Sequence, residues 1–231
     1  MKKGKMFNKY ILQVSLLIGV GIFINRSLWI ESVKIQYTDK DKKVSYKTQE
    51  RELKHGDLIF QTSLSNQSLA IQIATDSKYS HVGIIYKEGQ DFFVYEAAKS
   101  VQLTPLHIWI ARGENKKFVV KRWNQSSKFL TKEGIKKMKM IGEKYLGKEY
   151  DLKFEWSNDR IYCSELVWKI YKETFDVEIG QLERIKDLNL SSETVRTKLK
   201  ERYGNTIPME ELIITPDRMF KSKKIGVITS N

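Results

Sequence analysis

The chain contains one cysteine, Cys163, in 231 residues, and this narrows what it can fold into more than any other feature. A single cysteine can form neither an intramolecular disulfide nor a cysteine-rich zinc site, so the fold must rest on a hydrophobic core. The composition permits such a core, because 41 % of the residues are hydrophobic and 30 % are charged. These proportions also exclude a chain that is disordered throughout. A three-histidine metal centre would use every histidine present and is not expected: His55, His81 and His107.

The formal charge of +13 is spread along the chain: residues 1–50 carry a net +6 and residues 51–231 carry a net +7. The basic residues occur in short pairs such as Lys116-Lys117 and Lys136-Lys137, without a run of five or six like charges. The sequence also lacks a recognisable nucleic-acid motif, so we predict no nucleic-acid partner. A diffuse basic surface more often reflects solubility, or attraction to an anionic lipid, membrane or wall surface.

The N-terminus resembles an export signal. Residues 10–24 are mainly apolar and follow four lysines: Lys2, Lys3, Lys5 and Lys9. A run of this length fits the apolar region of a signal peptide better than a transmembrane helix, which needs roughly 20 residues. No Ala-x-Ala cleavage site follows. Residues 1–30 are therefore predicted to be a signal peptide or a membrane anchor, with a buried core helix as the alternative. Residues 31–54 are predicted to be a linker, and the remainder is expected in the periplasm or cell envelope, or anchored to the membrane.

Residues 55–231 are predicted to form one domain of the α+β class. Runs of strand character are separated by turn residues and are followed by helices with apolar stripes. The predicted strands are residues 57–60, 82–86, 92–96, 101–104 and 118–122. The predicted helices are residues 66–75, 131–147, a segment starting near 163, and residues 191–202.

The second and third predicted strands bring a histidine and a carboxylate together. With a four-residue loop at 87–90, Tyr86 pairs with Asp91, and His81 then lies directly opposite Glu96. A carboxylate beside an imidazole favours the imidazolium form and orients the ring. The alternative is a surface His–Glu pair without a function, and hairpin registers slip easily.

Cys163 is predicted in the first turn of a helix. The N–H groups and the dipole at a helix N-terminus lower the pKa of a thiol, and a neighbouring histidine would make the thiolate a nucleophile. The alternative is that Cys163 is a small buried residue, because it shares a helical stripe with Leu166, Val167 and Ile170.

Other polar residues near these motifs are weaker candidates. Gln61 ends the first predicted strand and could donate a hydrogen bond to an oxyanion. Three tyrosines flank the motifs and could be either functional or core residues: Tyr79, Tyr150 and Tyr162. A serine hydrolase is not supported, because the sequence has no Gly-x-Ser-x-Gly motif.

Five motifs in this order resemble the YiiX-like branch of the permuted papain-fold hydrolases, in the NlpC-type superfamily of cysteine amidases. The similarity runs from Gly56 to Tyr171 and continues through Tyr203-Gly204 and Thr215-Pro216-Asp217. The motifs are Gly56-Asp57-Leu58-Ile59-Phe60-Gln61, Tyr79-Ser80-His81-Val82-Gly83-Ile84, Val94-Tyr95-Glu96-Ala97, Tyr145-Leu146-Gly147-Lys148-Glu149-Tyr150-Asp151 and Tyr162-Cys163-Ser164-Glu165-Leu166.

The resemblance implies a circularly permuted papain-like fold, with an antiparallel sheet or barrel packed against helices, in which the histidine strand precedes the cysteine helix. It also implies roles for three residues. Cys163 would be the nucleophile, His81 the general base and acid, and Glu96 the residue that orients His81. The backbone N–H of Cys163 would donate to the oxyanion, together with a tyrosine or glutamine. No metal or organic cofactor is implied.

The activity implied is cleavage of an amide bond through a thioacyl enzyme. The substrates expected are cell-wall peptides or lipid-linked amides such as amino-acid–lipid conjugates. Two alternatives stay open: a thiol-dependent lipid hydrolase or acyltransferase of the cell envelope, and an inactive envelope-binding member of the fold.

Overall fold

A computed structural model describes residues 52–231. The predicted signal or anchor at residues 1–30, and the predicted linker up to residue 51, lie outside the described residues. Among the helices of residues 52–231, none is long and apolar enough to cross a membrane. The domain boundary at residue 55 stays a prediction.

The described residues form an α+β fold around an antiparallel six-stranded sheet, in the spatial order β4-β3-β2-β1-β5-β8. The strands of this sheet are β1 (Leu58–Gln61), β2 (His81–Glu88), β3 (Asp91–Ala97), β4 (Val101–Pro105), β5 (Val119–Trp123) and β8 (Ile225–Ser230). A separate antiparallel pair consists of β6 (Glu183–Arg184) and β7 (Leu212–Ile213). The five predicted strands are confirmed, whereas β6, β7 and β8 were not predicted.

Seven α-helices surround the sheet in the described part of the chain. They are α1 (Ser68–Thr75), α2 (Leu106–Ala111), α3 (Ser126–Phe129), α4 (Lys132–Glu143), α5 (Cys163–Phe175), α6 (Glu193–Tyr203) and α7 (Pro216–Phe220). The four predicted helices correspond to α1, α4, α5 and α6. Helix α4 begins after its cap Thr131, whose hydroxyl accepts from the N–H of Gly134 at 3.3 Å, but it ends at Glu143 rather than near Gly147. The short helices α2, α3 and α7 were not predicted, because four to six residues are too few to show a helical period.

The sheet is buried by different elements on its two sides. Helix α2 closes a core cluster that includes Ile59, Ile85, Val94 and Trp109. Helix α5 packs against β2 and β3, and every residue from Cys163 to Tyr171 is buried. A second cluster joins α1, α6 and the β6–β7 pair through Ala74, Val195, Leu199 and Ile213. The C-terminal quarter of the chain therefore contributes most of this second cluster and the edge strand β8.

The register predicted for the β2–β3 hairpin is wrong by two residues. Tyr86 pairs with Phe93 rather than with Asp91, because the turn consists of Gly89 and Gln90 alone. Gly89 has a φ of +61°, and a two-residue hairpin turn favours glycine at such a position. A shift of two residues leaves every side chain on the same face of the sheet. His81 and Glu96 consequently share a face as predicted, but as diagonal neighbours instead of directly opposed residues.

Candidate active site

The first residue of α5 is held in place from both sides. Cys163 lies between Tyr162 and Ser164, and both neighbours bind the backbone of Ile214. The hydroxyl of Ser164 donates to the Ile214 carbonyl at 2.7 Å, and the N–H of Ile214 donates to the Tyr162 hydroxyl at 3.0 Å. The N–H of Tyr162 donates to the Glu165 carboxylate at 3.4 Å, which caps the helix. The position of Cys163 is thus set by bonds to a segment about 50 residues further along the chain.

His81, the first residue of β2, lies between the thiol and a carboxylate. Its Nε2 is 2.6 Å from Oε2 of Glu96, and its ring lies close enough to the thiol of Cys163 for the two side chains to shift each other's pKa. The ring of Trp109 stacks on the imidazole with the centroids 5.8 Å apart. Because Nε2 faces Glu96, Nδ1 is the ring nitrogen left for the thiol. The structure brings together all three residues that the sequence analysis singled out.

Glu96 is fully buried and is held by two further side chains. The hydroxyl of Thr104 donates to its Oε1 at 2.5 Å, and Arg112 forms an ion pair with the same oxygen. Burial raises the pKa of Glu96, but the hydrogen bond and charge of His81, with Arg112 and Thr104, lower it to about 2. Glu96 is therefore a carboxylate at every physiological pH.

The histidine and cysteine shift each other's pKa. Burial lowers the pKa of His81, but the neighbouring Cys163 and Glu96 outweigh it and raise that pKa to about 10. Burial raises the pKa of Cys163, but His81 and the backbone N–H groups of Val82 and Ser164 bring it below the usual value for a thiol. These opposite shifts favour a thiolate–imidazolium pair near neutral pH.

Among the three tyrosines noted in the sequence, Tyr150 is the one whose hydroxyl reaches the thiol. It lies close enough to Cys163 for the thiol to shift its pKa, and it accepts a hydrogen bond from Nε2 of Gln67 at 3.0 Å. Arg202 of α6 donates in turn to Oε1 of Gln67 at 2.7 Å. Burial and the neighbouring Cys163 raise the pKa of Tyr150 well above its ordinary value, so its hydroxyl stays a proton donor. Tyr79 packs instead against Phe220.

Two cavities flank the cysteine and share Tyr150 as a common wall. We call the first the apolar pocket; Cys163 lies in its wall, with α1, α6 and β7 around it, and its lining includes Ile71, Val195, Leu199 and Ile213. We call the second the polar cleft; it lies on the His81 side, and its lining includes Gln61, Ser63, Ser65 and Arg112. The site therefore offers two chemically different surfaces, one lined by Cys163 and the other by His81.

Sequence reasoning missed several residues of this site. Thr104, Gln67, Arg112 and Arg202 contact the site residues from β4, the start of α1, the end of α2 and α6. None of them stands in a local pattern that indicates chemistry, and their proximity arises only when the chain is folded. The apolar pocket was missed for the same reason.

Comparison with known proteins identifies the family and the fold. A family model described as "Permuted papain-like amidase enzyme, YaeF/YiiX, C92 family" matches residues 52–229. The uncharacterized protein YiiX of Escherichia coli K12 is 43 % identical over 173 residues, which cover 75 % of this chain and 84 % of that protein. A crystal structure described as metalloprotein YiiX from Escherichia coli O157:H7 is 42 % identical, with a TM-score of 0.74, and the match covers 78 % of this chain and 98 % of that one.

That description calls YiiX a metalloprotein without naming a metal, and within residues 52–231 of this chain no group of three or more His, Cys, Asp or Glu side chains is arranged to hold a metal ion. His55 stacks on Tyr86 and accepts a hydrogen bond from the N–H of Lys87 at 3.3 Å. The family match covers nearly all of the described residues. The chain belongs to the permuted papain-like amidase family C92, of the YaeF/YiiX type.

Proposed function

We propose that the chain is a cysteine hydrolase that cleaves amide bonds through a thioacyl enzyme, with Cys163 as nucleophile, His81 as general base and acid, and Glu96 as the residue that orients His81. One observation carries the proposal: the His81 ring is shared between the thiol of Cys163 and the buried carboxylate of Glu96. This is the arrangement that converts a cysteine into a nucleophile with an adjacent, oriented base.

In the acylation step, the Cys163 thiolate attacks the carbonyl carbon of the substrate and a C–S bond forms. The oxyanion that develops has two donors within reach of the thiol. One is the backbone N–H of Cys163, which has no intrahelical acceptor because it lies in the first turn of α5. The other is the hydroxyl of Tyr150. The C–N bond then breaks, and the His81 imidazolium gives its proton to the leaving amine.

In the deacylation step, neutral His81 takes a proton from water, and the resulting hydroxide attacks the thioester carbon. The C–S bond breaks, the acid leaves, and the Cys163–His81 pair is restored. Glu96 remains a carboxylate throughout and keeps Nδ1 of His81 directed at the sulfur, since it holds Nε2 at 2.6 Å. The reaction consumes one water and yields one acid and one amine.

The apolar pocket supports an amino-acid–lipid conjugate over a cell-wall peptide as the substrate. Cys163 lies in the wall of a cavity whose other lining is mainly aliphatic and aromatic. An acyl chain in this pocket would place its carbonyl carbon next to the sulfur, and each buried CH₂ contributes about 0.8 kcal/mol to binding. Access to a lipid substrate would also suit the N-terminal apolar segment and the net charge of +13, which support a location at a membrane or in the cell envelope.

The same pocket favours a second candidate, a thiol-dependent lipid hydrolase or acyltransferase. The thioester would be the same, and the outcome would depend on whether water or a bound amine or alcohol attacks it. An acyl substrate incubated with and without such an acceptor distinguishes the two, because a hydrolase releases the free acid whereas a transferase moves the chain to the acceptor.

The test of the proposed function is the rate at which iodoacetamide alkylates the full chain as pH is varied. Cys163 is the only thiol in the sequence, so the signal has one source. Because the pKa of Cys163 is lowered, we expect a plateau that extends well below the free-thiol pKa of about 8.5. His81→Ala should abolish the plateau, and Glu96→Gln should move it toward higher pH.

Alkylation that rises only above the free-thiol pKa, and that does not respond to His81→Ala, would contradict the proposal. Cys163 would then be a buried core residue and the protein an inactive, binding member of the fold. Circular dichroism of the two variants shows whether they keep the fold, which separates loss of the ion pair from loss of structure.

A further inference from the structure

The guanidinium of Arg112 lines the polar cleft and has N–H donors that are not used by the residues the structure describes. Its Nη2 forms the ion pair with Glu96, and within residues 52–231 its remaining N–H groups have no acceptor. The side chain is 41 % exposed and lines the cleft together with His81. A guanidinium presents five N–H donors, so one bond to Glu96 leaves donors for a second planar anion.

Gln61 is a second polar group turned to the same cleft. It ends β1 directly opposite His81 and is only 2 % exposed, yet it lines the cleft. Its Oε1 lies against Gly113, since a Cβ there would come within 2.4 Å of it, and this oxygen has no hydrogen-bond partner in the described part of the chain. With Oε1 against Gly113, Nε2 is the amide atom that can donate to a ligand in the cleft.

From these two residues we propose that the polar cleft is a binding site for a carboxylate on the leaving group, with Arg112 as the charged donor and Gln61 as the neutral one. Both groups donate, and a carboxylate is the acceptor that matches a guanidinium in geometry and charge. This inference rests on the proposed function and narrows its substrate class to acyl amides of amino acids whose carboxylate is free.

The positions of the two cavities indicate where each half of such a substrate would bind. The acyl chain occupies the apolar pocket, the carbonyl lies at Cys163 beside Tyr150, and the amino-acid half extends past His81 toward Arg112. The leaving nitrogen then passes close to His81, which supplies its proton. Water completes the reaction, so an N-acyl amino acid and water give a fatty acid and a free amino acid.

The test compares two substrates that differ only in the group proposed to bind Arg112: N-dodecanoylglycine and N-dodecanoylglycinamide. The full chain in a non-ionic detergent is assayed for release of glycine or glycinamide. We expect the wild-type kcat/KM for the acid to exceed that for the amide by about tenfold or more, as for a hydrogen bond to a charged group. Arg112→Gln should bring the ratio near one, and Arg112→Lys should keep part of the preference.

Arg112 also supports Glu96, so a control must weaken Glu96 without touching the cleft. Thr104→Val removes the hydroxyl that donates to the same carboxylate oxygen, and Thr104 does not line the cleft. This variant should slow both substrates while leaving their ratio unchanged. If the wild type does not distinguish the two substrates, or if Arg112→Gln retains the full preference, the inference is wrong.

A second measurement keeps the inference separable from the proposed function. Both compounds are tested as protectants of Cys163 against iodoacetamide, at a pH where the thiol reacts in every variant, so that no turnover is needed. Stronger protection by the acid, lost in Arg112→Gln, would support the carboxylate site even if neither compound were cleaved. Equal protection would overturn it even if both were cleaved, in which case the hydrolase would stand.

Discussion

The two cavities beside Cys163 differ in lining, size and origin in the chain. The apolar pocket is the smaller, about 80 Å³ against about 420 Å³ for the polar cleft. Its walls come from segments distant in sequence, residues 70–75, 150–164, 185–203 and 213–216. Much of the polar cleft comes from one continuous stretch, residues 61–67, which follows β1. The site thus combines a surface assembled by tertiary packing, which includes Cys163, with a surface carried largely by one loop, which includes His81 in its lining.

This difference indicates a division of labour between the two halves of the site. A narrow apolar cavity selects a chain by its shape and length, because burial is non-directional and scales with area. A polar cleft selects by placement of donors, because an unmatched buried polar group is costly. Tyr150 lines both cavities and lies next to the thiol. It is therefore adjacent to the acyl half, the leaving-group half and the reacting carbonyl of the proposed substrate.

The largest effect we predict comes from this shared residue. Tyr150→Phe removes the hydroxyl next to Cys163 while keeping the ring that separates the cavities. As loss of one oxyanion donor, it should lower kcat by about a hundredfold or more with little change in KM. Steady-state kinetics on an acyl amide measures both values. The fall should be equal for acid and amide leaving groups and for long and short chains.

Tyr79→Phe is the matched control, because it removes a hydroxyl from another buried tyrosine. The ring of Tyr79 packs against that of Phe220, with the two ring centroids 4.1 Å apart. It should leave kcat close to the wild-type value. If Tyr150→Phe raised KM instead of lowering kcat, the Tyr150 hydroxyl would contribute to substrate binding, and its proposed role as an oxyanion donor would be wrong.

The sequence predicts the site residues that stand in local motifs, but not those that are brought together only by tertiary packing. His81, Glu96 and Cys163 could be assembled from a hairpin, a helix start and a family resemblance, since each stands in a local motif. The predicted hairpin register is wrong because the turn has two residues instead of four. The prediction that His81 and Glu96 lie on the same face of the sheet is still right, because the register is off by an even number of residues. The apolar pocket could not be predicted, because Leu199 and Ile213 meet Ala74 only after α6 and β7 fold onto α1. Arg112 was missed since a lone arginine after a short helix has no distinctive pattern.

The second prediction sharpens the role of the apolar pocket. Ile71 is half-buried and lines that pocket from α1, so Ile71→Trp should shorten the space available to a chain. Loss of room for two CH₂ groups, at about 0.8 kcal/mol each, corresponds to roughly a tenfold fall in kcat/KM for long acyl chains. A series of acyl amides of increasing length measures this, and short chains should be cleaved as by the wild type.

Leu69→Trp is the control for that substitution. Leu69 lies on the same helix, is 58 % exposed and does not line the pocket. This variant should leave the dependence on chain length unchanged. A uniform loss at every chain length in Ile71→Trp would mean that the pocket does not receive the chain.

The smallest effect concerns the support behind Tyr150, where Arg202 donates to Gln67 at 2.7 Å and Gln67 donates to the Tyr150 hydroxyl at 3.0 Å. Gln67→Leu removes the hydrogen bond that orients the phenol, and one such bond contributes about 0.5–1.5 kcal/mol. We therefore expect kcat to fall about two- to tenfold while KM is unchanged, with Arg202→Met giving a smaller fall in the same direction. The decisive measurement is the double variant: if Gln67 acts only through the Tyr150 hydroxyl, Gln67→Leu should cause no further loss in a Tyr150→Phe background. Additive losses would show that Gln67 acts on the substrate directly, as part of the polar cleft that it also lines.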